Sequence, residues 1–332
     1  MIGTSVVARL EVKLRFRAGR WRWLLVSWFL GLVAFSVLLE LVVRRSNGYH
    51  GHQGAILFGG LQLFMLALAL FIAPALTSSS INGDREQGRL GVLQVTELTP
   101  WNIVGGKLLA AWGTACVFVV VSAPITIWAM VLGGISLWQV LVVSLVMMLL
   151  LGIVCAIGLG LSAILSRSTT SNVLAYVAVF VLTVGTLIAA GLLSALNQSN
   201  GGGLYWEALA PNPFVILADA APIAPTTRVC YSQQGVTVST APGATAVVSP
   251  TPLPAIICEN NLQTGDVLGG IRQGIRRAKS PNGFSSSTST RGSPVWPYGL
   301  AFDMVVAAVL LWAAVRRLKT PRLRLPNGVR LA

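Results

Sequence analysis

Six long apolar runs dominate the pattern of hydrophobic and polar positions along the chain. They lie at 23–43, 55–76, 108–133, 138–165, 172–196 and 299–315. A helix that crosses about 30 Å of bilayer hydrocarbon needs roughly 20 mostly apolar residues, and the six runs come close to or exceed that length. The pattern therefore predicts an all-α integral membrane protein with six transmembrane helices.

The segment 1–22, before the first run, combines apolar and basic positions at helical spacing. The apolar positions are Val6, Leu10 and Leu14, and the basic positions are Arg9, Lys13 and Arg17. Each set recurs every four residues, so each forms a stripe along one face of a helix. Such a helix suits the headgroup region of an anionic leaflet. We predict an amphipathic surface helix here; the alternative is a basic tail without fixed structure.

The connection 77–107 joins the second run to the third. Thr99 and Pro100 have the residue types of a helix N-cap and first residue, so they predict the start of a helix that runs through Lys107 into the third span. Upstream lie the charged residues Asp84, Arg85, Glu86 and Arg89 and the leucines Leu90, Leu93 and Leu98. This pattern predicts a short amphipathic helix along the membrane face. It indicates either a docking surface for a cytoplasmic partner or a solvated connection.

Composition and charge fix the compartment and the orientation. The chain is 54% hydrophobic and only 10% charged, with a mean hydropathy of +0.74, which excludes an ordinary soluble domain. Sixteen basic residues lie in 1–22, 77–107 and 316–332 and at Arg167, whereas the short connections on the other side hold two. The positive-inside rule therefore predicts a multi-pass protein of the cytoplasmic membrane with both termini cytoplasmic. The net charge of +14 then reflects topology and anionic lipid rather than nucleic acid.

The segment 197–298, before the last run, has a different composition. It holds 11 of the chain's 16 prolines together with Ser, Thr and Gly tracts. This composition is typical of irregular and partly disordered chain. We therefore expect a long extracytoplasmic loop.

Cys230 and Cys258 are the only cysteines of that loop. Thiols outside the cytoplasm meet oxidising conditions, so a disulfide between them is predicted. Closing a loop of this length stabilises a fold by about 3–4 kcal/mol on the chain-entropy account. Two unpaired thiols are the alternative.

Motifs that would carry catalysis are absent from the sequence. HExxH, GxSxG and CxxC do not occur, and Gly105-Gly106-Lys107 lacks the glycine spacing and the following Ser or Thr of a phosphate-binding loop. His50 and His52 lie in a short outer connection without further metal ligands, which favours a solvated turn. We expect no catalytic residue, no metal site and no cofactor bound by this chain.

The run SINGDREQGRL at 80–90, followed by Leu98-Thr99-Pro100 and Gly106-Lys107-Leu108, resembles the permease subunits of type-2 ATP-binding-cassette (ABC) exporters. The basic amino-terminal helix and the six spans extend the similarity over most of the chain. The resemblance implies that this loop couples to an ATPase subunit. The coupling residues would be Asp84, Arg85, Glu86, Gln87, Gly88, Leu90, Thr99, Pro100 and Lys107.

The same resemblance implies the partners and the cofactors. A cytoplasmic ABC ATPase subunit would bind ATP and Mg²⁺, and a second permease subunit, identical or not, would complete the path through the bilayer. Pro211-Asn212-Pro213-Phe214 is similar to an Asn-Pro-Phe turn that these permeases place before their final segments. Two departures stand out: Arg89 replaces the usual threonine, and the last outer connection is much longer than the small re-entrant element expected there.

Two polar residues within the spans are candidates for intramembrane roles, because such groups are costly in lipid. Glu40 lies four residues before Arg44, which predicts an i,i+4 ion pair near the outer interface, with a place in the substrate path as the alternative. Gln62 is expected to hydrogen-bond between helices or to face a translocation cavity, and the first is the favoured interpretation.

Small residues at four-residue spacing give the fourth span a smooth face. They are Gly152, Ala156 and Gly160. Such a face allows close helix packing. It belongs either to the chain's own bundle or to a dimer seam.

The sequence thus divides into a surface helix (1–22), five spans with the coupling loop (23–196), an outer loop (197–298), a sixth span (299–315) and a basic cytoplasmic tail (316–332). Its favoured function is that of an ABC-transporter permease that exports a substrate with ATP hydrolysed by another chain. The alternative is a non-transporting membrane anchor or sensor whose outer loop binds a ligand or an envelope partner.

Overall fold

A computed structural model describes residues 2–17, 20–45, 53–86, 88, 99–196, 205–222, 227–232, 256–261, 266–279 and 293–319. The first helices are α1 (Ile2–Arg17), α2 (Arg20–Arg45), α3 (Gln53–Thr77), α4 (Asn82–Glu86), α5 (Pro100–Val121), α6 (Ala123–Val131) and α7 (Leu137–Ile164). Next come α8 (Ser168–Phe180), a π-helical segment (Val181–Gly185), α9 (Thr186–Leu196), α10 (Trp206–Leu209) and α11 (Pro213–Ala220). Two strands, β1 (Thr227–Ser232) and β2 (Ile256–Asn261), precede α12 (Val267–Lys279) and α13 (Trp296–Lys319).

The six predicted spans are confirmed. Among the described residues, six helical stretches are long and apolar enough to cross a membrane. Spans 1, 2, 4 and 6 are α2, α3, α7 and α13, span 3 is α5 with α6, and span 5 is α8, the π segment and α9. We call the end of the bundle that carries α1 and α4 the α1 end, and the opposite end the α12 end.

Span 3 is broken after its first 22 residues, where Pro124 follows. α5 ends at Val121 and α6 begins at Ala123, with Pro124 in the first turn of the new helix. Proline has no backbone N–H and its ring clashes with the preceding turn. The hydroxyl of Ser122 donates to the Val119 carbonyl at 2.6 Å and so bonds locally at the break.

Spans 1 to 4 form the main core. Phe118 of span 3 lies edge-on to Trp28 and to Trp21 of span 1, with ring centroids 5.0 and 5.4 Å apart. Met65 of span 2 and Met147 of span 4 are also fully buried. Because lipid is as apolar as these side chains, close packing rather than water exclusion holds the spans together.

The small residues of span 4 serve the chain's own bundle. A Cβ atom placed on Gly160 would lie 2.6 Å from the Leu310 Cβ of span 6, and one on Gly152 would lie 3.1 Å from the Trp112 indole nitrogen of span 3. Ala156 is buried between these positions. The small-residue face of span 4 therefore packs within the chain's own bundle rather than at a dimer seam. Spans 1 and 5 are the exposed ones, with 17% of their most apolar window buried against 50% for span 4.

The described residues of the predicted outer loop, 197–298, hold regular elements. They form the three helices α10, α11 and α12 and an antiparallel pair of β1 with β2. The short strands are an addition to the predicted all-α fold. The average composition of the whole segment is rich in proline, and this average does not reveal the shorter helix-forming stretches within it.

The chain turns back along span 5 after α9. The Tyr205 backbone N–H donates to the Ser194 hydroxyl at 3.3 Å, and the Asn212 side-chain amide donates to the Thr183 carbonyl at 2.8 Å. Thr183 belongs to the π segment, where the regular helical ladder is disrupted. Residues 205–222 thus pack back on span 5 in the place where the resemblance implies a small re-entrant element, and the extra length follows them.

Candidate functional site

The turn after span 2 is fixed to span 4. The Ser162 hydroxyl accepts hydrogen bonds from the backbone N–H groups of Ile81 and Asn82, at 3.2 and 3.3 Å. The Asn82 amide in turn donates to the Arg167 carbonyl at 3.4 Å. Ile81, Asn82 and Ser162 are fully buried. The start of α4 therefore has a fixed position against the end of span 4.

The same turn is fixed to span 5. The Ser171 hydroxyl donates to the Ser78 carbonyl at 2.6 Å, and the Ser78 hydroxyl bonds the Asn172 side chain. At the end of α4, the two Glu86 carboxylate oxygens accept from the Ser168 backbone N–H and hydroxyl, each at 3.1 Å. Ser168 begins α8, so Glu86 places a negative charge where a helix leaves its N–H groups unpaired.

Lys107 of span 3 lies at the centre of the site. Its side chain is 1% exposed, with Nζ 2.6 Å from Asp84 Oδ2 of α4 and 3.5 Å from Glu11 Oε2 of α1. The Asp84 and Glu11 contacts are both ion pairs. An isolated buried ammonium group is strongly disfavoured. The two carboxylates, from two different elements, are what make this position tolerable for a lysine.

Arg15 of α1 extends these contacts to span 2. It pairs with Glu11 at 3.6 Å, and its guanidinium donates to the Leu76 carbonyl at 3.1 Å. Leu76 lies in the last turn of α3, where carbonyls lack helical partners. Charges of alternating sign therefore run from Asp84 through Lys107 and Glu11 to Arg15.

α1 packs closely on the beginning of span 3. A Cβ atom on Gly106 would lie 2.6 Å from the Val7 Cβ, so only glycine permits this approach. The Thr4 hydroxyl donates to the Asn102 side-chain oxygen at 3.1 Å. The predicted apolar stripe points away from this contact, since its residues are each 56% exposed: Val6, Leu10 and Leu14.

We call the residues that join α4 to its neighbours the coupling hub. They are Ser78, Ile81, Asn82, Asp84, Glu86, Lys107, Glu11, Arg15, Ser162, Arg167, Ser168, Ser171 and Asn172. The hub connects a five-residue surface helix to spans 3, 4 and 5 and to α1. It contains no nucleophile–base pair, so its contacts are suited to transmitting force rather than to bond chemistry.

The predicted coupling residues have different positions. The Thr99 side chain accepts from the Asn102 N–H at 3.3 Å and Pro100 is the first helical residue, which confirms the predicted helix start. Gly88 is exposed with φ of +71°, a conformation that favours glycine. Lys107 faces inward, so it does not contribute a contact surface. The remaining predicted positions lie outside the described residues: Gln87, Arg89, Leu90, Leu93 and Leu98.

The two intramembrane candidates differ in outcome. Glu40 and Arg44 form the predicted ion pair. Gln62 is fully buried, yet neither polar atom of its amide has a hydrogen-bond partner among the described residues. Both roles considered for Gln62, a link between helices and a place in the path, therefore stay predictions.

The predicted disulfide partners occupy matching backbone positions. In the β1–β2 pair, Cys230 lies directly opposite Cys258. The two histidines considered for a metal, His50 and His52, lie outside the described residues. The disulfide stays a prediction, now with a register that brings its two residues together.

Sequence reasoning missed several functional contacts. The sequence does distinguish Glu11, because it is the single acidic residue of 1–22, a segment that also holds six basic residues. Ser162 and Ser168 gave no signal, because their partners are about 80 residues away in the chain. At the α12 end, Asp219 and Arg276 form a buried ion pair at 2.6 Å that the sequence analysis did not consider.

Comparison with known proteins agrees with this geometry. A family model described as ABC-2 family transporter protein matches residues 6–234, which is more than half of the chain. No curated protein gives a significant match. The matched region contains most of α1, the coupling hub and the first five spans. The chain therefore belongs to the ABC-2 transporter family and is a membrane permease component of an ATP-binding-cassette transporter.

Proposed function

We propose that this permease exports its substrate with energy from a separate ABC ATPase subunit, which docks at the α1 end. The coupling hub is the observation that carries the proposal. The ATPase, not this chain, binds ATP and Mg²⁺, because the sequence has no phosphate-binding loop. The α1 end is cytoplasmic in this account, since the basic α1 and the end of α13 with Arg316 and Arg317 both lie there.

The hub explains how a displacement of α4 by the docked ATPase would move the spans. A ligand shifts a conformational equilibrium only through its different affinity for the two states, and ATP supplies that difference to the ATPase. α4 bonds span 4 through Ser162, span 5 through Glu86 and span 3 through Asp84. A displacement of α4 therefore acts on three spans at once.

The docking surface itself is formed by the outward side of the loop. Glu86 is exposed at the end of α4, and Gly88 and Thr99 are exposed at the described edges of the loop. The proposal assigns contact with the ATPase to this surface, including Arg85, Gln87 and Leu90. Asp84 and Lys107 act behind the surface by holding α4 in place.

A second permease subunit completes the transporter in this proposal. Spans 1 and 5 bury little of their surface within the chain and present continuous apolar faces. Both faces are compatible with lipid and with another permease subunit. The path for the substrate then lies between two such subunits.

Substitution of Glu86 in the hub, and of its neighbour Arg85 on α4, tests the proposal. We expect Glu86→Ala and Arg85→Ala to lower the stimulation of the ATPase by the permease severalfold while membrane insertion stays normal. The reason is that Glu86→Ala removes the bond from α4 to the start of span 5. The measurement is the ATP hydrolysis rate of the reconstituted complex relative to the ATPase alone.

A matched control is available at the opposite end of the bundle. Glu207 of α10 is also an exposed glutamate, so Glu207→Ala should leave the stimulation unchanged. Full stimulation in Glu86→Ala and Arg85→Ala together would contradict the proposed route of coupling.

A further inference from the structure

Asp303 is a buried carboxyl group within a membrane span. It follows Trp296, the first residue of α13, by about 10 Å along the helix axis. The residue is 2% exposed, and its Oδ1 atom has no hydrogen-bond partner among the described residues. Ionisable residues are rare at such positions because they are costly in lipid, so their presence points to a function.

The neighbours of Asp303 along span 6 show that it faces the bundle. Leu300 precedes it by three residues and Ala307 follows it by four, so the three residues share one face of the helix. Ala307 is buried in a cluster with Ile153 and Ala156 of span 4, and Leu300 packs against the same cluster. We call this apolar contact between the two helices the span 4–6 seam. Asp303 lies within it.

The span 4–6 seam is closely packed on both sides of Asp303. Toward the α1 end, a Cβ atom on Gly160 would lie 2.6 Å from the Leu310 Cβ. Toward the α12 end, a Cβ atom on Gly299 would overlap the Ala210 carbonyl oxygen. Close contacts therefore enclose the carboxyl group in both directions along the helix.

No charged group compensates Asp303 within the described part of the chain. The ionisable side chains of span 6 and of the elements that contact it are Tyr298, Arg316, Arg317 and Lys319 of span 6, Lys107 and Cys116 of span 3, Cys155 of span 4, Tyr176 of span 5, Glu207 of α10, Asp219 of α11 and Lys279 of α12. None of them forms a described ion pair with Asp303. Two are paired elsewhere, since Lys107 contacts Asp84 and Glu11 and Asp219 contacts Arg276.

An ionised carboxylate in this position would be strongly disfavoured. The burial of an unpaired ionised group is so costly that such a group becomes neutral instead, which for a carboxylate means taking up a proton. A bound metal ion would require several oxygen ligands. The described residues hold no group of three or more acidic, histidine or cysteine side chains, whereas a proton requires only one carboxylate oxygen.

We propose that Asp303 is a proton-binding site of this permease. The carboxyl group holds a proton while the span 4–6 seam is packed and releases it when the seam admits water. In that step the O–H bond of the carboxylic acid breaks, a water molecule takes the proton, and the carboxylate keeps the electron pair. Any movement of the transport cycle that separates spans 4 and 6 would then release one proton. The inference goes beyond the proposed function and does not depend on the ATPase.

Infrared spectroscopy of the full-length permease tests the site, because the C=O band of a protonated carboxyl group is separate from the bands of a carboxylate. The protein is measured at neutral pH in dodecyl maltoside, a detergent without an ester carbonyl. We expect this band in the unchanged protein and its loss in Asp303→Asn, which keeps the shape of the side chain but cannot ionise. Glu207→Gln removes an exposed carboxyl group and is the matched control, so it should retain the band.

A pair of glycine variants tests the release of the proton. Gly160→Ala places a Cβ atom against Leu310 and forces the seam apart, so water should enter and the protonated-carboxyl band should decrease. Gly113→Ala of span 3 is the matched control, because a Cβ atom there has nothing within 4 Å and the band should stay. Size-exclusion chromatography checks that both variants remain folded.

Two results would overturn the proposal. One is the same protonated-carboxyl band in the unchanged protein and in Asp303→Asn, which would mean that Asp303 holds no proton. The other is an equal band in folded Gly160→Ala and Gly113→Ala, which would mean that the seam does not control the proton. If Gly160→Ala does not fold, the comparison with Asp303→Asn still decides whether the site holds a proton. Neither result bears on the ATPase, so the proposed function would stand.

Discussion

Lys107 shows how a single buried charge can join elements that are distant in sequence. Its ammonium group has one carboxylate from α4 and one from α1, so either partner can compensate it alone. The carboxylates are 19% and 22% exposed and can be hydrated, whereas the lysine cannot. Removal of both partners is therefore far more costly than removal of one.

This reasoning predicts non-additive effects on stability. Asp84→Asn and Glu11→Gln should each lower the free energy of unfolding only slightly, while the double variant should lose about 3–5 kcal/mol, because it leaves a buried charge unpaired. Adding Lys107→Met to the double variant should restore most of the loss. Thermal unfolding in detergent, followed by tryptophan fluorescence, measures all four variants. Additive losses without rescue by Lys107→Met would contradict the role of the pair of carboxylates.

At the residue scale, the sequence predicts contacts that follow helical spacing. Thr99 with Pro100 and Glu40 with Arg44 are local, so their geometry follows from the helix itself. The family resemblance points to Lys107, but its burial between two carboxylates depends on how α1 packs. No local rule contains that information.

At the scale of elements, the spans were predictable and the outer insertion was not. Each span has a long apolar run, whereas α12 is a short amphipathic helix within a segment rich in proline and glycine. Leu268 and Ile275 are its buried apolar positions, and the buried Arg272 lies between them. This helical spacing is evident in the sequence when 267–279 is considered apart from the rest of 197–298. Averaging composition over 197–298 concealed it.

The β1–β2 pair sharpens the disulfide prediction. Residues directly opposite each other in an antiparallel pair have Cα atoms about 4.5–5.5 Å apart, within the range of about 4.4–6.8 Å that disulfides require. We expect Cys230 and Cys258 to be bonded in protein from the native membrane. Peptide mass spectrometry without reduction should find the linked peptides, and reduction should release them. Two alkylated thiols in the unreduced sample would refute the bond.

Cys116 and Cys155 provide an internal control for that measurement. They lie in spans 3 and 4 as free thiols, so they should react with an alkylating reagent only after the protein is unfolded. A linked peptide that contains either of them would indicate disulfide exchange during preparation.

At the scale of the whole molecule, span 2 connects the two ends of the bundle. Its α1 end continues into the turn that leads to α4, and its other end contacts α12 through Gly59 and Phe58. Span 6 is placed similarly, with Asp219 at its start and Leu310 packed on span 4. This layout gives a physical connection from the coupling hub to α12 within one chain.

The central claim is that this permease works with a separate ABC ATPase. The direct measurement is gentle detergent extraction of the tagged full-length chain, followed by quantitative mass spectrometry of the proteins that co-purify. We expect an ABC ATPase subunit in a ratio of about one per permease chain, with a reduced amount for the Glu86→Ala, Arg85→Ala double variant. Recovery of the intact permease with no ABC ATPase, under conditions that preserve other membrane complexes, would contradict the account.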